Sequence, residues 1–338
     1  MADAKDKQTN RPKESMLASA TMDRTPHVGI VLSSFRGGEE HDGTPIKGLT
    51  DPRPVDADLT DAQMDALLRK AVQVSGRRGG LGRSAGPEDW VVVKIVLTPE
   101  ISTDVRLVRS LLGFLAEGKR GRRFTIATDA PADAANSELV ASLASRYKDR
   151  RFEYVDLSTA PYLQVPAVRR TFAKNNPDGV YAIPKVIREC DQILTVTPMQ
   201  TSPVTGVALS VSSYWSMAPT SVYGPQREKL MALGDPVDVL TDLYLHHPAD
   251  YAIVGGSKHR DAAGNIVHHN IVIAGRGALP VDAVGAAVMG FDPAKLPLLD
   301  KLELRGFGVR DTDSIWTHGN EIDEARATFE KPANWRNA

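Results

Sequence analysis

The chain carries a single cysteine, Cys190, among its 338 residues. One thiol excludes an internal disulfide, a cysteine-ligated iron–sulfur cluster and a zinc site built on cysteines. With no histidine at a suggestive spacing, Cys190 is expected to be a core residue. Charge imbalance is absent too, since 41 Lys and Arg against 42 Asp and Glu leave a formal net charge of -1. That balance argues against nucleic acid and membrane surfaces as partners, because both draw on a basic excess. No run of about 18 apolar residues occurs, so no membrane-spanning helix is predicted. The motifs of common nucleophiles and phosphate loops are missing: no Gly-x-Ser-x-Gly, no P-loop, no His-Glu-x-x-His. Residues 76–82, GRRGGLG, precede a predicted strand instead of following one, which excludes a dinucleotide fingerprint.

What remains is the composition of a folded protein, 42% hydrophobic and 25% charged, long enough for one large or two small domains. Residues 1–25 are polar and expected to be a disordered leader, with 16–20 too short for a signal-peptide core, and a cytoplasmic setting is the expectation. Strands are predicted at 28–35, 91–97, 124–128 and 152–157, and helices at 61–74, 104–117 and 134–147. The helix at 104–117 keeps Val105, Val108, Leu111, Leu112 and Leu115 on one face. Further strands are predicted at 192–196, 251–255 and 269–274, and helices at 204–213, 225–233, 237–244, 281–289 and 294–301. Residues 212–226 have no clean period and predict a long loop or lid. Short apolar strands alternating with amphipathic helices predict an α/β protein, with mainly parallel sheets covered by helices on both faces. The organisation expected is a leader (1–25), a first α/β lobe (26–178), a second (179–325) and a tail (326–338), with a cleft between the lobes.

Several places stand out chemically. Lys94 lies inside the apolar run 91–97, VVVKIVL, where a charge costs several kcal/mol unless it is paired or reaches a polar cleft. The plainer reading is an edge-strand lysine whose stem covers apolar surface. Thr103 and Asp104 open the next helix, where capping alone explains both; an anion held between Lys94 and the helix end is the functional alternative. Asp129 follows the strand at 124–128, a position suited to general base or metal-binding work. Asp133 is a candidate cap of the next helix, and Asp156 ends the next predicted strand. Six of the 8 histidines follow residue 245, and His259 and His268 flank a turn containing Gly264. A surface hairpin with incidental histidines outweighs a metal site there, so no metal ligands are assigned, and His268 is the histidine kept as a proton carrier. Finally, residues 271–293 run strand, Gly/Pro turn and small-residue helix, placing Asp282 at a sheet's carboxyl edge.

That last stretch resembles the signature of domain-of-unknown-function family 362, a bacterial and archaeal family. There, a strand ending Ala-Gly is followed by Asp-Pro-Val-Ala-Val-Asp-Ala-Val and then Met-Gly-Phe-Asp-Pro. Residues 281–284 and 289–293 here match it. Lys94 falls on the lysine of the family's Ile-Lys-Pro-Asn motif, with Ile95 and Val96 replacing the Pro and Asn. Residues 196–213 resemble its Val-Pro-Lys-x-Lys-Thr-His…Thr-Gly-Val-Thr-x-x-Leu-Lys-Asn segment. Thr201, Thr205, Gly206, Val207 and Leu209 hold that pattern; Pro198, Gln200, Ser202, Ser212 and Ser213 replace its lysines, His and Asn. Gly255-Gly256 stand where the family shows Asp-Gly. The resemblance implies a fold similar in outline to that of lactate racemase and related isomerases, and it marks Thr205, Gly206, Gly256 and Asp282 as ligand-binding candidates.

The expectation is therefore an enzyme acting on a small anionic metabolite by isomerase- or epimerase-type proton transfer. Lys94, Asp129 and His268 would carry the chemistry, and Thr103 and Asp104 would help hold the anion. The cofactor is unknown and homo-oligomerisation is left open. Two alternatives stand beside it: a non-catalytic ligand- or metal-binding protein, and a subunit of a larger assembly.

Overall fold

The computed structural model describes residues 25–40, 43–76, 80–81, 84–168 and 174–335. All but the last residue of the expected leader, residues 77–79 and 82–83 of the Gly/Arg-rich loop, and residues 336–338 of the tail lie outside the described residues.

Valine- and isoleucine-rich segments line up as one central sheet. From edge to edge it runs β14 (Trp316–Gly319), β1 (His27–Leu32), β13 (Ile266–Arg276), β12 (Tyr251–Arg260), β9 (Gln192–Thr197), β4 (Trp90–Ile95), β5 (Arg123–Thr128) and β6 (Arg151–Asp156). Along that path only β13 opposes its neighbours; every other pairing is parallel. The carboxyl ends of β12, β9, β4, β5 and β6 therefore share one edge. Two ribbons lie apart, β2 (Gly37–Glu39) with β3 (Pro45–Lys47) and β7 (Tyr162–Pro166) with β8 (Val180–Pro184). A hairpin of β10 (Gln200–Ser202) and β11 (Gly206–Ala208) joins the main sheet where Gln200 pairs with Arg260.

Side chains alternate across each strand, and the alternation sorts them into two cores. Val91, Val93, Ile95, Phe124, Ile126, Leu194 and Val196 pack beneath α1 (Asp61–Val74), α2 (Val105–Glu117) and α3 (Ala134–Arg146). Val92, Ala127, Ile193, Ala252, Val254 and Ile273 face the other way, toward α7 (Pro236–Leu245), α8 (Ala278–Val288) and α9 (Pro297–Glu303). The short helices α4 (Lys185–Glu189), α5 (Thr220–Tyr223), α6 (Glu228–Met231) and α10 (Ile322–Ala325) fill the remaining cover on that side. Leu107, Val108, Leu111, Leu112 and Leu115 on α2 are all fully buried, each contributing about 1.5–3 kcal/mol. Among the described residues no helix is long and apolar enough to cross a membrane.

The α/β class with a mainly parallel sheet is as the sequence predicts. Residues before 179 (β1, β4–β6) and after it (β9, β12–β14) contribute to one continuous sheet, with β9 seated between β4 and β12. Two predicted helices differ. At 204–213 the chain forms β11 and then a 3-10 turn over Ser212–Met217, because Gly206 takes φ +80 and the Thr205 hydroxyl donates to the carbonyl of Val207. At 225–233 the helix shrinks to α6, since Arg227 sits at φ +52, outside helical geometry. The cap of α2 is Asp104, which accepts from the amide of Arg106; Thr103, one residue earlier, does other work.

Candidate functional site

β4 is buried on both faces, and Lys94 at its carboxyl end has no solvent exposure at all. Its Nζ donates to the carbonyl of Ile95 at 2.6 Å. Burial lowers the ammonium from its ordinary 10.5 to about 8; the Asp129 carboxylate pulls it up and the Arg227 guanidinium pushes it down. In register, Lys94 has Thr195 of β9 on one side and Ala127 of β5 on the other. Thr195 and Thr197 point to the same face as Lys94, by the period of two along β9. Their hydroxyls are buried and have no hydrogen-bond partner among the described residues, which ordinarily costs about 1–3 kcal/mol each.

Asp129, just past β5, accepts from Arg227 Nη2 at 2.7 Å and at Oδ1 from Thr128 Oγ1 at 3.3 Å. Arg227 is 8% exposed and fixed by Nε to the carbonyl of Ala218 at 2.9 Å and Nη2 to that of Ser216 at 3.3 Å. A left-handed backbone at a non-glycine residue costs of order 1–3 kcal/mol, so this conformation persists because the side chain is held. The other two acids are used locally: Asp133 caps α3, and Asp156 accepts from the amide and hydroxyl of Ser158.

Thr103 joins the ends of β4 and β9. Its Oγ1 donates to the carbonyl of Val196 and accepts from the amide of Val96, both at 2.9 Å. Beside it, on the α2 face, Asp104 pairs with Arg106 at 2.7 Å, and Arg106 Nη2 also donates to Ser257 Oγ at 2.9 Å. Gly256 (φ +125) closes on this group; a Cβ there would lie 3.2 Å from Asp104 Cβ. Thr103, Asp104 and Gly256 thus meet at the same sheet edge as Lys94 but toward the opposite layer of helices.

The remaining candidates lie elsewhere. Thr205 and Gly206 shape the β10–β11 hairpin, with Gly206 against Leu296 and Trp335. Asp282, fully enclosed in α8, accepts from the amides of Ser210 and Val211 at 2.9 Å each. Burial raises its carboxyl from 3.8 to about 7, against those two amides. His268 is exposed on β13, opposite Lys258 and three strands along from β4. Its neighbour in the hairpin, His259, is buried: Nδ1 accepts from the amide of Met199, so Nε2–H donates to the carbonyl of His269. Burial pushes His259 down to about 4. Among the described residues no group of three His, Cys, Asp or Glu side chains is disposed to hold a metal ion. An open pocket of about 580 Å³ lies near β14 and α10, lined by Trp316, Glu321, Arg326 and their neighbours, and it contains none of the sequence candidates.

Sequence reasoning missed Arg227, which sits in an irregular segment with no periodic signal. It also missed Thr195 and Thr197, although two hydroxyls at alternate positions of an apolar strand were a visible sign.

No protein-family model matches the chain, so the likeness to domain-of-unknown-function family 362 rests on its short motifs alone. No curated protein matches it either. Among solved structures it is similar to the lactate racemase apoprotein from Thermoanaerobacterium thermosaccharolyticum, with 12% identity and a TM-score of 0.34. The match covers 64% of this chain and 55%, about half, of that one.

Proposed function

We propose that the chain is an enzyme that moves a proton on a small anionic metabolite, in the manner of an isomerase or epimerase, at the Lys94 edge of the sheet. The observation that carries this reading is a fully buried amine, brought near neutral pKa, beside the buried Arg227 guanidinium and its Asp129 partner. A lysine kept in such a place works against stability, which is the usual mark of a group retained for chemistry. The neutral fraction of Lys94 takes a proton from the carbon next to a carboxylate, and the charge developing on that carboxylate is met by Arg227 and the hydroxyls of Thr195 and Thr197. In the empty site Asp129 holds Arg227. Thr103 holds the strand ends at the spacing these groups need. Lys94 also falls on the lysine of the family motif, which supports the same assignment. In this reading His268 takes no part.

The test is solvent exchange. Wild-type protein and Lys94→Met are incubated in heavy water with lactate, glycerate and malate, and loss of the C2 proton is followed by NMR. Exchange by wild type and none by Lys94→Met is the expected result. Binding of one of these acids without exchange overturns catalysis and favours a ligand-binding protein. Neither binding nor exchange overturns the anion reading itself.

A further inference from the structure

No ligand reaches Lys94 unless something moves, because its amine and the hydroxyls of Thr195 and Thr197 are all buried. The neighbouring strands are paired on both sides and have no freedom to part. The cover between Pro219 and Pro236 is different in kind. It consists of two four-residue helices, α5 and α6, separated by positive-φ residues at Gly224 (+88) and Arg227 (+52). From residue 220 to 236 only Tyr223, Arg227 and Leu230 are buried. Short helices with little buried apolar surface belong to the part of a fold that opens first.

The attachments of this segment to the body include the Tyr223 hydroxyl, which accepts from the amide of Ala182 at 2.8 Å. Asn175 bonds the carbonyls of Leu233 and Ala232. Arg227 brings a charge into the Lys94 site, and it reaches the body's Asp129 through one contact, Nη2 to Oδ2. A guanidinium can hold a carboxylate through two parallel bonds, so this pairing leaves binding capacity unused. The charges are also unbalanced: Lys94 and Arg227 carry two positive charges when the amine is protonated, against one negative on Asp129. One further negative charge neutralises the cluster. A dianion would leave a buried excess of negative charge.

We infer that residues 219–236 are a lid over Lys94, latched by Arg227 on Asp129, and that Arg227 transfers to the carboxylate of the entering substrate and so selects small monoanions. The inference rests on the Lys94 edge being the reaction site. Opening breaks the Arg227–Asp129 contact, the carboxylate enters beside Lys94, and closure returns the lid with Arg227 on the substrate's oxygens in place of Asp129. No covalent step is involved.

Hydrogen exchange read by mass spectrometry on the full chain tests this, using wild type, Asp129→Asn and Arg227→Gln. Amides of 219–236 should exchange on the order of tenfold faster in both variants, the scale of a lost charge-assisted hydrogen bond. Amides of β4 and β5 should stay as protected as in wild type, which establishes that the variants fold. Saturating lactate or acetate should slow lid exchange again in Asp129→Asn but not in Arg227→Gln, and malonate should slow neither. Unchanged lid exchange in both variants overturns the latch. Protection of Arg227→Gln by lactate, or of Asp129→Asn by malonate as well as lactate, overturns the role of Arg227 in selection. Failure of the catalytic reading appears separately, as no C2 proton exchange by wild type while the lid responses remain.

Discussion

Replacing Lys94 with Met should make the protein more stable at pH 7. Methionine is close to lysine in length and apolar, so it fills the same space without a charge. The ammonium falls from 10.5 in the unfolded chain to about 8 when folded, chiefly through burial. At about 1.4 kcal/mol per pKa unit, the wild type gives up about 3 kcal/mol of stability wherever both states are protonated, which is below pH 8. Between pH 8 and 10.5 the folded protein sheds this proton before the unfolded chain does, so the wild type gains stability as pH rises. Methionine also loses the hydrogen bond to the carbonyl of Ile95, worth about 1 kcal/mol. The net expectation is a variant about 2 kcal/mol more stable than wild type at pH 7. The gain shrinks with rising pH and is reversed near pH 10.5. Urea unfolding at pH 7 and 9.5, followed by circular dichroism, measures it as a change in midpoint at constant slope. A variant less stable than wild type at pH 7, by the same margin at both pH values, would refute the argument. Lys94 would then be a fully compensated part of the fold.

Two further outcomes are expected. Thr103→Val leaves the amide of Val96 and the carbonyl of Val196 unpaired in the interior, costing about 2 kcal/mol in urea unfolding, and Thr103→Ser restores most of it. Asp282 behaves with the opposite sign to Lys94: its folded carboxyl, raised to about 7, keeps a proton that the unfolded chain has released above pH 4. Its contribution to stability therefore falls as pH rises through that window. Wild type should lose roughly 2–3 kcal/mol relative to Asp282→Asn between pH 5 and 8 in thermal melts. A difference that does not vary with pH would count against the raised carboxyl.

Much of the fold was legible because it depends on neighbours in sequence. The apolar stripe of α2 shows in the spacing of Val108, Leu111, Leu112 and Leu115. The helix expected at 204–213 failed for an equally local reason: its spacing suits a helix, but Thr205 and Gly206 commit the backbone to a turn. Of the candidate site, Lys94 was visible as a charge in an apolar run and Asp129 as an acid at a strand's end. Their partners were not, because a side chain's neighbours across a sheet depend on strand order.

The sequence by itself determined most of the central strands and the long helices, that the sheet is mainly parallel, and that a charge at Lys94 needed a partner or a polar cleft. Periodicity and the cost of a charge in apolar surroundings are enough for that. Only the tertiary structure decided that β9 lies beside β4, which puts Thr195 next to Lys94, and that Arg227, far along the chain, reaches Asp129. It also decided that Thr103 and Asp104 lie toward the other helix layer and that His268 stands apart. Strand order and the path of an irregular segment are settled by packing the two cores together, a sum over contacts distant in sequence that no local pattern records.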